Sequence, residues 1–199
     1  MTYHLPPNYI RQQPERFFDE DTGTVWQPDV YPFAFDLARE LGRSVVVDVG
    51  CGYGRKLQPY TDEFTVYAID LPGTLAKIDA PGAVLVAHDL DSEDHLPIGA
   101  DSLVICSDVI EHLWHPERLL SRLIAADVPV VLSTPDRERT HGAGNLTPTN
   151  VCHAQEWTLT ELVCLLHVAG TEPDYVGWTR SHDHDENDAT CLVTFGGPL

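Results

Sequence analysis

Basic residues are scarce in this sequence. The 199 residues include only two lysines, Lys56 and Lys77, and the 12 lysine and arginine residues face 31 acidic ones, which gives a formal net charge of -19. Long nucleic acids and anionic membranes are normally bound by a basic surface that releases counterions. The composition therefore argues against both as partners and favours a neutral or cationic ligand.

Paired cysteines and long apolar runs are also missing. An odd number of cysteines without C-x-x-C spacing argues against a disulfide framework and a thiolate zinc site. No run approaches the roughly 20 apolar residues that cross a bilayer, and no basic segment followed by an apolar one stands at the N-terminus. We predict a soluble, cytoplasmic protein, and the composition is compatible with a homodimer. The five cysteines are Cys51, Cys106, Cys152, Cys164 and Cys191.

Apolar runs alternate with helical patterns along the chain, and each run ends at a polar residue. This pattern predicts one α/β domain over residues 1–199, with a Rossmann-like, seven-stranded, mostly parallel sheet and helices on both faces. Ligands bind such sheets at the carboxyl ends of the strands. The predicted parallel strands are 45–49, 64–69, 84–87, 102–106 and 128–133, and a C-terminal antiparallel hairpin is expected from 174–179 and 190–195.

Two segments lack a regular period. Residues 1–30 are predicted to form an irregular N-terminal arm, with a helix starting near Pro32. The polar stretch 136–156 is too long for a simple connection and is interpreted as a substrate or active-site loop. After it, Thr158 with Glu161 forms the pattern of a capping box at the start of a helix.

A glycine turn follows the first predicted strand. Gly50, Gly52 and Gly54 allow a tight turn and close approach of a ligand, and Asp48 offers a carboxylate to a cationic group. A turn of this kind also serves NAD or merely reverses the chain. Asp70, at the end of the second strand, can bind the two hydroxyls of a ribose. Together these residues favour a nucleotide-type cofactor.

Three chemically active side chains follow the fourth strand. Asp108, Glu111 and His112 stand at i, i+3 and i+4, so one helical turn would direct them the same way. A solvent-facing turn with an aspartate cap is the alternative. At a ligand crevice, two carboxylates and an imidazole favour a divalent cation, because they otherwise repel each other or compete for protons. Carboxylates suit Mg²⁺ or Mn²⁺ and imidazoles suit Mn²⁺, Fe²⁺ or Zn²⁺, which leaves the metal open.

The motifs at 48–54 and 67–71 resemble those of the class I S-adenosylmethionine-dependent methyltransferases, and the resemblance covers roughly residues 33–196. It implies S-adenosylmethionine as cofactor, with the glycine turn at the methionine part, Asp70 at the ribose, Asp89 at the adenine edge and Ser107 at the sulfonium. The residues that it assigns to the cofactor are Asp48, Gly50, Cys51, Gly52, Gly54, Asp70, Leu71, Asp89, Leu90 and Ser107.

The segment 108–113 also resembles the acidic-x-x-Glu-His motif of metal-dependent O-methyltransferases, including small-RNA ribose 2'-O-methyltransferases and ubiquinone-pathway enzymes. In the RNA enzymes a second histidine precedes Glu-Trp-Thr, and His153 stands at that position here. The resemblance implies Mg²⁺, with Mn²⁺ second, bound by Asp108, Glu111, His112 and His153. Asp108 is shorter than the usual glutamate, so its contact with the metal is expected to run through water.

The implied reaction needs a group that takes a proton from the acceptor hydroxyl. A metal lowers the pKa of a bound hydroxyl, and an imidazole nearby accepts the proton. His112 and His153 are the first candidates, although metal ligation competes with that role. His141, in the loop, is in reserve, and Glu111 acts in catalysis through the metal.

Segments 25–32 and 133–137 resemble small actinobacterial methyltransferases of polysaccharide assembly, including mycobacterial methylmannose-polysaccharide enzymes. We therefore predict a small-molecule or oligosaccharide acceptor with a sugar hydroxyl. The alternatives are an RNA ribose 2'-O-methyltransferase, a phenol- or quinone-type O-methyltransferase, and a cofactor-binding scaffold without chemistry. The side chains expected around the acceptor are Trp26, Tyr31, Arg137, Arg139 and His141.

Overall fold

Seven strands form one sheet in the order β3-β2-β1-β4-β5-β7-β6. A computed structural model of the chain describes residues 5–15, 24–92 and 94–197. The strands are β1 (Val45–Val49), β2 (Thr65–Asp70), β3 (Val84–Ala87), β4 (Ser102–Ser107), β5 (Val130–Pro135), β6 (Pro173–Thr179) and β7 (Thr190–Phe195).

Helices connect the strands and cover the sheet. None of those in the described part of the chain combines the length and apolar character that crossing a membrane requires. The α-helices are α1 (Val30–Glu40), α2 (Pro72–Leu75), α3 (Pro116–Ala125), α4 (Arg137–His141) and α5 (Leu159–Ala169), and 3₁₀ segments cover Arg55–Tyr60 and Ile110–His112.

The strand pairing confirms the predicted Rossmann-like sheet. Strands β1 to β5 pair in parallel, whereas β7 runs antiparallel to both β5 and β6. The C-terminal hairpin is therefore present, with β7 inside the sheet and β6 at its edge. The chain runs outward from β1 to β3 and then returns to β4 on the other side of β1. This reversal opens a crevice at the carboxyl ends of β1 and β4.

The sheet separates two apolar layers. Because side chains alternate along a strand, Val47 and Val49 of β1 enter the layer covered by α3 and α5, and Val46 enters the layer covered by α1. Asp48 shares the second face. The Tyr31 hydroxyl, on α1, donates a hydrogen bond to Asp48 Oδ2 at 2.9 Å. The sheet's alternation thus places a carboxylate directly beneath α1.

Helix boundaries follow local chemistry. α1 starts at Val30, before the expected position, because a proline is tolerated within the first helical turn and Pro32 does not have to begin it. The capping box at α5 is confirmed: Thr158 Oγ1 accepts from the Glu161 amide at 3.3 Å, and Glu161 Oε2 accepts from the Thr158 amide at 2.9 Å. Within 136–156, the start of the segment is helical as α4.

Candidate active site

A cavity of about 340 Å³ lies at the carboxyl ends of β1, β2 and β4. Six residues predicted to bind a cofactor line it: Gly50, Gly52, Asp70, Leu71, Asp89 and Leu90. Asp108 and His112, predicted as metal ligands, line it too. The cavity therefore joins the predicted cofactor site to part of the predicted metal site.

The first glycine of the turn is required by packing. Gly50 has φ +79°, and a Cβ atom built on it would lie 2.4 Å from Cγ2 of Val109. The amides of Gly50 and Cys51 both donate to the Ile69 carbonyl, at 2.8 and 3.1 Å. A side chain at position 50 would thus be strained in its backbone and would collide with the turn that follows β4.

Asp70 is held at the cavity wall by backbone amides. Its Oδ2 accepts from the Gly52 amide at 2.9 Å, and its Oδ1 accepts from the Leu71 amide at 2.7 Å. The carboxylate is consequently oriented by the glycine turn and by its own neighbour. Carboxylate oxygens at the end of such a strand are suited to binding ribose hydroxyls.

Asp48 is fully buried beneath the glycine turn. Its Oδ1 has no hydrogen-bond partner among the described residues, whereas Oδ2 accepts from Tyr31. Burial raises the pKa of Asp48 to about 7, against the lowering effects of Tyr31 and Lys56. A buried carboxylate with one unpaired oxygen is suited to a cationic ligand group.

The remaining cofactor candidates lie outside the cavity lining. Gly54 precedes the first 3₁₀ segment with φ +70°, and a Cβ on it would lie 2.8 Å from Ile78. Cys51 is buried, and burial raises the pKa of its thiol far above its usual range. Ser107 donates its hydroxyl to Gln27 at 2.8 Å. These three residues therefore contact groups near the glycine turn and the end of β4 without lining the cavity.

His88 lines the cavity although the sequence offered no argument for it. Its Nε2 lies 3.0 Å from Nη1 of Arg122, and burial together with the Arg122 charge lowers the pKa of His88. The ring is therefore a neutral acceptor near neutral pH. Its position just before Asp89, at the end of β3, is the only local signal that points to it. Pro14 and Glu15, from the N-terminal arm, line the cavity without such a signal.

Glu111, His112 and His153 form a group suited to a metal ion. Each offers one ligand atom, and these atoms lie within 4.8 Å of one another. The rings of the two histidines meet edge to face with centroids 4.9 Å apart. We call these three residues the metal trio. His153 comes from the loop 136–156, so the fold unites residues that are far apart in sequence.

Asp108 lies beside the trio but is not a member of this group. The turn that carries it is not α-helical: Asp108 has φ +60°, and a 3₁₀ segment follows at Ile110–His112. Its Oδ1 accepts a hydrogen bond from Nε2 of Gln27 at 3.0 Å. The expected alignment on one α-helical turn is thus replaced by a left-handed residue followed by a tighter turn.

Glu111 is completely buried. Both of its carboxylate oxygens lack a hydrogen-bond partner within the described ranges. Burial raises the pKa of Glu111 well above its usual range, and the adjacent Asp108 carboxylate raises it further. A buried carboxyl group beside a second, half-buried one needs either a shared proton or a cation. The donor set of carboxylate and imidazole groups fits a divalent metal.

A backbone carbonyl orients the His112 ring. Nδ1 lies 2.8 Å from the Cys152 carbonyl, which places the hydrogen on Nδ1 because a carbonyl only accepts. Burial lowers the pKa of His112. The ring is therefore neutral, with the lone pair on Nε2, as metal ligation requires.

His153 is oriented by two side chains. Its Nδ1 lies 2.7 Å from Glu156 Oε1, and its Nε2 lies 3.1 Å from Asn150 Nδ2. Asn150 cannot reverse its amide, because its Oδ1 accepts from the Cys152 backbone amide at 2.9 Å. The lone pair of His153 is therefore on Nε2, where Asn150 donates, and a metal at that atom would take the place of this contact.

His141 does not join the trio. Its Nε2 lies 2.8 Å from the Thr149 hydroxyl and 3.8 Å from Glu156 Oε2. The same Glu156 carboxyl therefore lies between His141 and His153. This arrangement leaves His141 outside metal ligation and partly exposed.

A family model described as a methyltransferase domain matches residues 11–175, most of the chain. The chain belongs to this methyltransferase family. A protein of Mycolicibacterium smegmatis named "probable S-adenosylmethionine-dependent methyltransferase" is 32% identical over 142 residues, covering 68% of this chain and 55% of that protein. The chain thus spans about half the length of this curated relative.

Solved structures show the same fold at low identity. A Burkholderia thailandensis 1,6-didemethyltoxoflavin-N1-methyltransferase has a TM-score of 0.62 at 20% identity, covering 87% of this chain and 80% of that one. The small RNA methyltransferase HEN1 has a TM-score of 0.69 at 19% identity, covering 94% of this chain and 27% of that one. At these identities the likeness shows the fold alone.

Two tryptophan rings near the end of β6 are exposed: Trp178 belongs to β6, and Trp26 forms a β-bridge with His182. Trp26 is 49% exposed and Trp178 is 43% exposed. Trp178 donates from Nε1 to Asp136 Oδ2 at 2.7 Å, and the Arg139 guanidinium lies 4.0 Å from the centroid of the Trp178 ring. Since Asp136 directly follows β5, Trp178 stands at the carboxyl edge of the sheet.

Two side chains expected around an acceptor are not available there. Tyr31 is buried against Asp48, because it belongs to the inner face of α1. Arg137 is buried and forms an ion pair with Glu161 at 2.7 Å. Both predictions are wrong, since packing on α1 and α5 decides the exposure of these residues.

Proposed function

We propose that this chain transfers a methyl group from S-adenosylmethionine to a hydroxyl oxygen with the help of a divalent metal, Mg²⁺ first and Mn²⁺ second. The observation that carries the proposal is the metal trio at the wall of the cofactor cavity. His112 belongs to both the trio and the cavity lining. A metal site that opens on a methyl-donor site is suited to activating a hydroxyl acceptor.

The cofactor side of the proposal depends on three groups. S-adenosylmethionine supplies an electrophilic methyl group next to a positive sulfonium. The unpaired Oδ1 of Asp48 suits its ammonium group, and the fixed carboxylate of Asp70 suits its ribose hydroxyls. Gly50, Gly52 and Asp70 line the cavity, whereas Asp48 is fully buried outside its lining. This acidic wall also suits a cofactor that carries positive charge.

The metal side depends on Glu111, His112 and His153, with Asp108 beside them. A divalent cation bound there would lower the pKa of an acceptor hydroxyl that reaches it. The unpaired, buried oxygens of Glu111 support a cation at this place, because leaving them without a partner is costly. The hydrogen bond from His153 to Glu156 is of the kind that orients metal-binding histidines.

His141 is the group that we assign to proton acceptance. It is outside the trio, so metal ligation does not occupy its ring. The Glu156 carboxylate, whose Oε2 lies 3.8 Å from Nε2 of His141, would stabilise the imidazolium that forms when His141 takes the proton. His112 and His153 remain candidates only if they do not ligate the metal.

A sugar hydroxyl is the acceptor that we propose. Exposed Trp26 and Trp178, with Arg139 beside the latter, offer stacking and polar contacts at the sheet edge. The net charge of -19 disfavours an RNA acceptor, which would meet few basic residues. A ribose 2'-hydroxyl of RNA and a phenol or quinone are the competing acceptors.

The test measures methyl transfer from radiolabelled S-adenosylmethionine to short oligosaccharides, phenols and RNA 3' ends. Incorporation into oligosaccharide is expected, with loss in EDTA and recovery with Mg²⁺ or Mn²⁺. Full activity in excess EDTA would refute the metal role. Activity confined to RNA would refute the sugar acceptor, and cofactor binding without transfer to any acceptor would favour the scaffold alternative.

Glu111→Ala separates chemistry from cofactor binding. The variant should lose turnover while it keeps cofactor affinity, measured by calorimetry, because Glu111 belongs to the trio and does not line the cofactor cavity. Glu172→Ala is the matched control, since its side chain is 83% exposed. Turnover in Glu111→Ala equal to that of the control would remove Glu111 from the mechanism.

A further inference from the structure

Gln27 is a buried polar residue that connects three parts of the active site. It is 2% exposed, although it belongs to the predicted irregular arm. Its Oε1 accepts from the hydroxyls of Ser107, at 2.8 Å, and Ser133, at 2.5 Å. Its Nε2 donates to Asp108 Oδ1 at 3.0 Å. One amide thus ties the ends of β4 and β5 to the acidic residue beside the metal trio.

The chemistry of these partners fixes the direction of the Gln27 amide. An ionised carboxylate only accepts, so Asp108 must face the NH₂ group. The two serine hydroxyls can donate and therefore face the carbonyl oxygen. Reversing the amide would set its oxygen against the Asp108 carboxylate. The arrangement satisfies all three partners in one orientation only.

Backbone strain is concentrated at the same contact. Gln27 has φ +47° and Asp108 has φ +60°, a region that residues other than glycine rarely adopt. The two strained residues are hydrogen-bonded to each other through their side chains. Such conformations persist where surrounding contacts enforce them, and they cluster at functional sites.

Distant contacts hold the backbone of Gln27 in place. Its amide donates to the Ser181 carbonyl at 2.8 Å. Two residues further on, Asp29 accepts from Arg180 through both oxygens, at 2.5 and 2.8 Å. The end of β6 therefore anchors the segment that delivers Gln27 to the site.

We infer that Gln27 is a positioning residue that fixes the Asp108 carboxylate beside the metal trio. The inference rests on the proposed metal-dependent function. By binding Oδ1, Gln27 sets the orientation of the Asp108 carboxylate, which lies next to Glu111 of the trio. Partners of this kind, which contact a residue at the metal rather than the metal itself, change metal affinity when they are removed.

The test uses Mn²⁺ as the probe on the full chain. Gln27→Met keeps the side-chain volume but loses both polar groups, and it should weaken Mn²⁺ binding, measured by electron paramagnetic resonance, about tenfold. Affinity for S-adenosylmethionine, measured by calorimetry, should fall by a smaller factor than Mn²⁺ affinity, since Asp108 lines the cofactor cavity but Gln27 does not. Gln58→Met is the control, because Gln58 is an exposed glutamine.

Ser133→Ala is a milder second variant. It removes one hydroxyl that orients the Gln27 amide while leaving Gln27 and Asp108 in place, and it should weaken Mn²⁺ binding about threefold. Wild-type Mn²⁺ affinity in both variants would overturn the inference and leave the proposed function intact. Equal losses of Mn²⁺ and cofactor affinity that follow a lower melting temperature would also overturn it, because they indicate a structural role. Failure of the wild-type protein to bind Mn²⁺ would refute the metal function itself, and the inference with it.

Discussion

Replacing Asp48 by asparagine should stabilise the cofactor-free protein at neutral and alkaline pH. The carboxyl is fully buried, and burial raises its pKa from 3.8 to about 7. In the unfolded chain the same group ionises near its ordinary pKa. Between about pH 4 and pH 7 the folded state therefore holds more protons than the unfolded state. Rising pH consequently removes stability across this window, and the loss is complete above the folded pKa.

The size of the effect follows from the difference between the two pKa values, which is about 3 units. Each unit corresponds to about 1.4 kcal/mol, so the ionised Asp48 carboxylate costs about 4 kcal/mol above pH 7 and almost nothing below pH 4. Asparagine carries no charge and keeps an acceptor for the Tyr31 hydroxyl. We expect the free energy of unfolding of Asp48→Asn to exceed that of the wild type by up to about 4 kcal/mol at pH 8. This difference corresponds to about 10 °C in melting temperature.

The assay is urea unfolding and thermal melting from pH 4 to pH 8.5 without cofactor. Asp62→Asn, at an exposed position, is the control for removing one negative charge from an acidic protein. A stability difference that does not grow with pH, or one that the control reproduces, would refute the reasoning. With S-adenosylmethionine present, the proposed contact with Asp48 predicts the opposite trend, because the variant should gain less stability from the cofactor than the wild type does.

Three further predictions follow from local contacts. Glu156→Gln should weaken Mn²⁺ binding about tenfold in a titration followed by electron paramagnetic resonance, since it removes the charge that His153 Nδ1 contacts at 2.7 Å. Unchanged binding would contradict this prediction. Gly50→Ala should lower the free energy of unfolding by about 3 kcal/mol in urea, because the added Cβ meets Val109 at 2.4 Å. A double variant with Val109→Ala should recover part of this loss. A single variant as stable as the wild type would count against the packing argument. Thr158→Ala should cost about 1 kcal/mol in the same assay through loss of the helix cap, and no loss would show that the cap is redundant.

The sheet could be predicted because its signals are local. Strand β1 covers the predicted 45–49, and the hairpin strands β6 and β7 lie close to the expected 174–179 and 190–195. A buried parallel strand needs a continuous apolar run, and polar residues at its carboxyl end face a ligand crevice. The position of β7 between β5 and β6 was not predictable from such runs, because pairing depends on which sheet edge each strand reaches.

The site was predictable only in part. Glu111 and His112 are neighbours in the chain, so their pattern is visible in the sequence, and resemblance to known enzymes added His153. Gln27 carried no such signal, because its importance depends on contacts with strands about 80 and 106 residues away. The burial of Tyr31 could not be predicted for the same reason, since its exposure depends on what packs against α1.

By itself, the sequence determined the strands, the glycine turn and the acidic turn after β4, because each depends on residues close together in the chain. Only the tertiary structure decided that the N-terminal arm delivers a glutamine to Asp108, that Glu156 orients His153, and that His112 lies both in the metal trio and in the cavity lining. Hydrogen bonds and burial between distant segments arise only when the chain is folded.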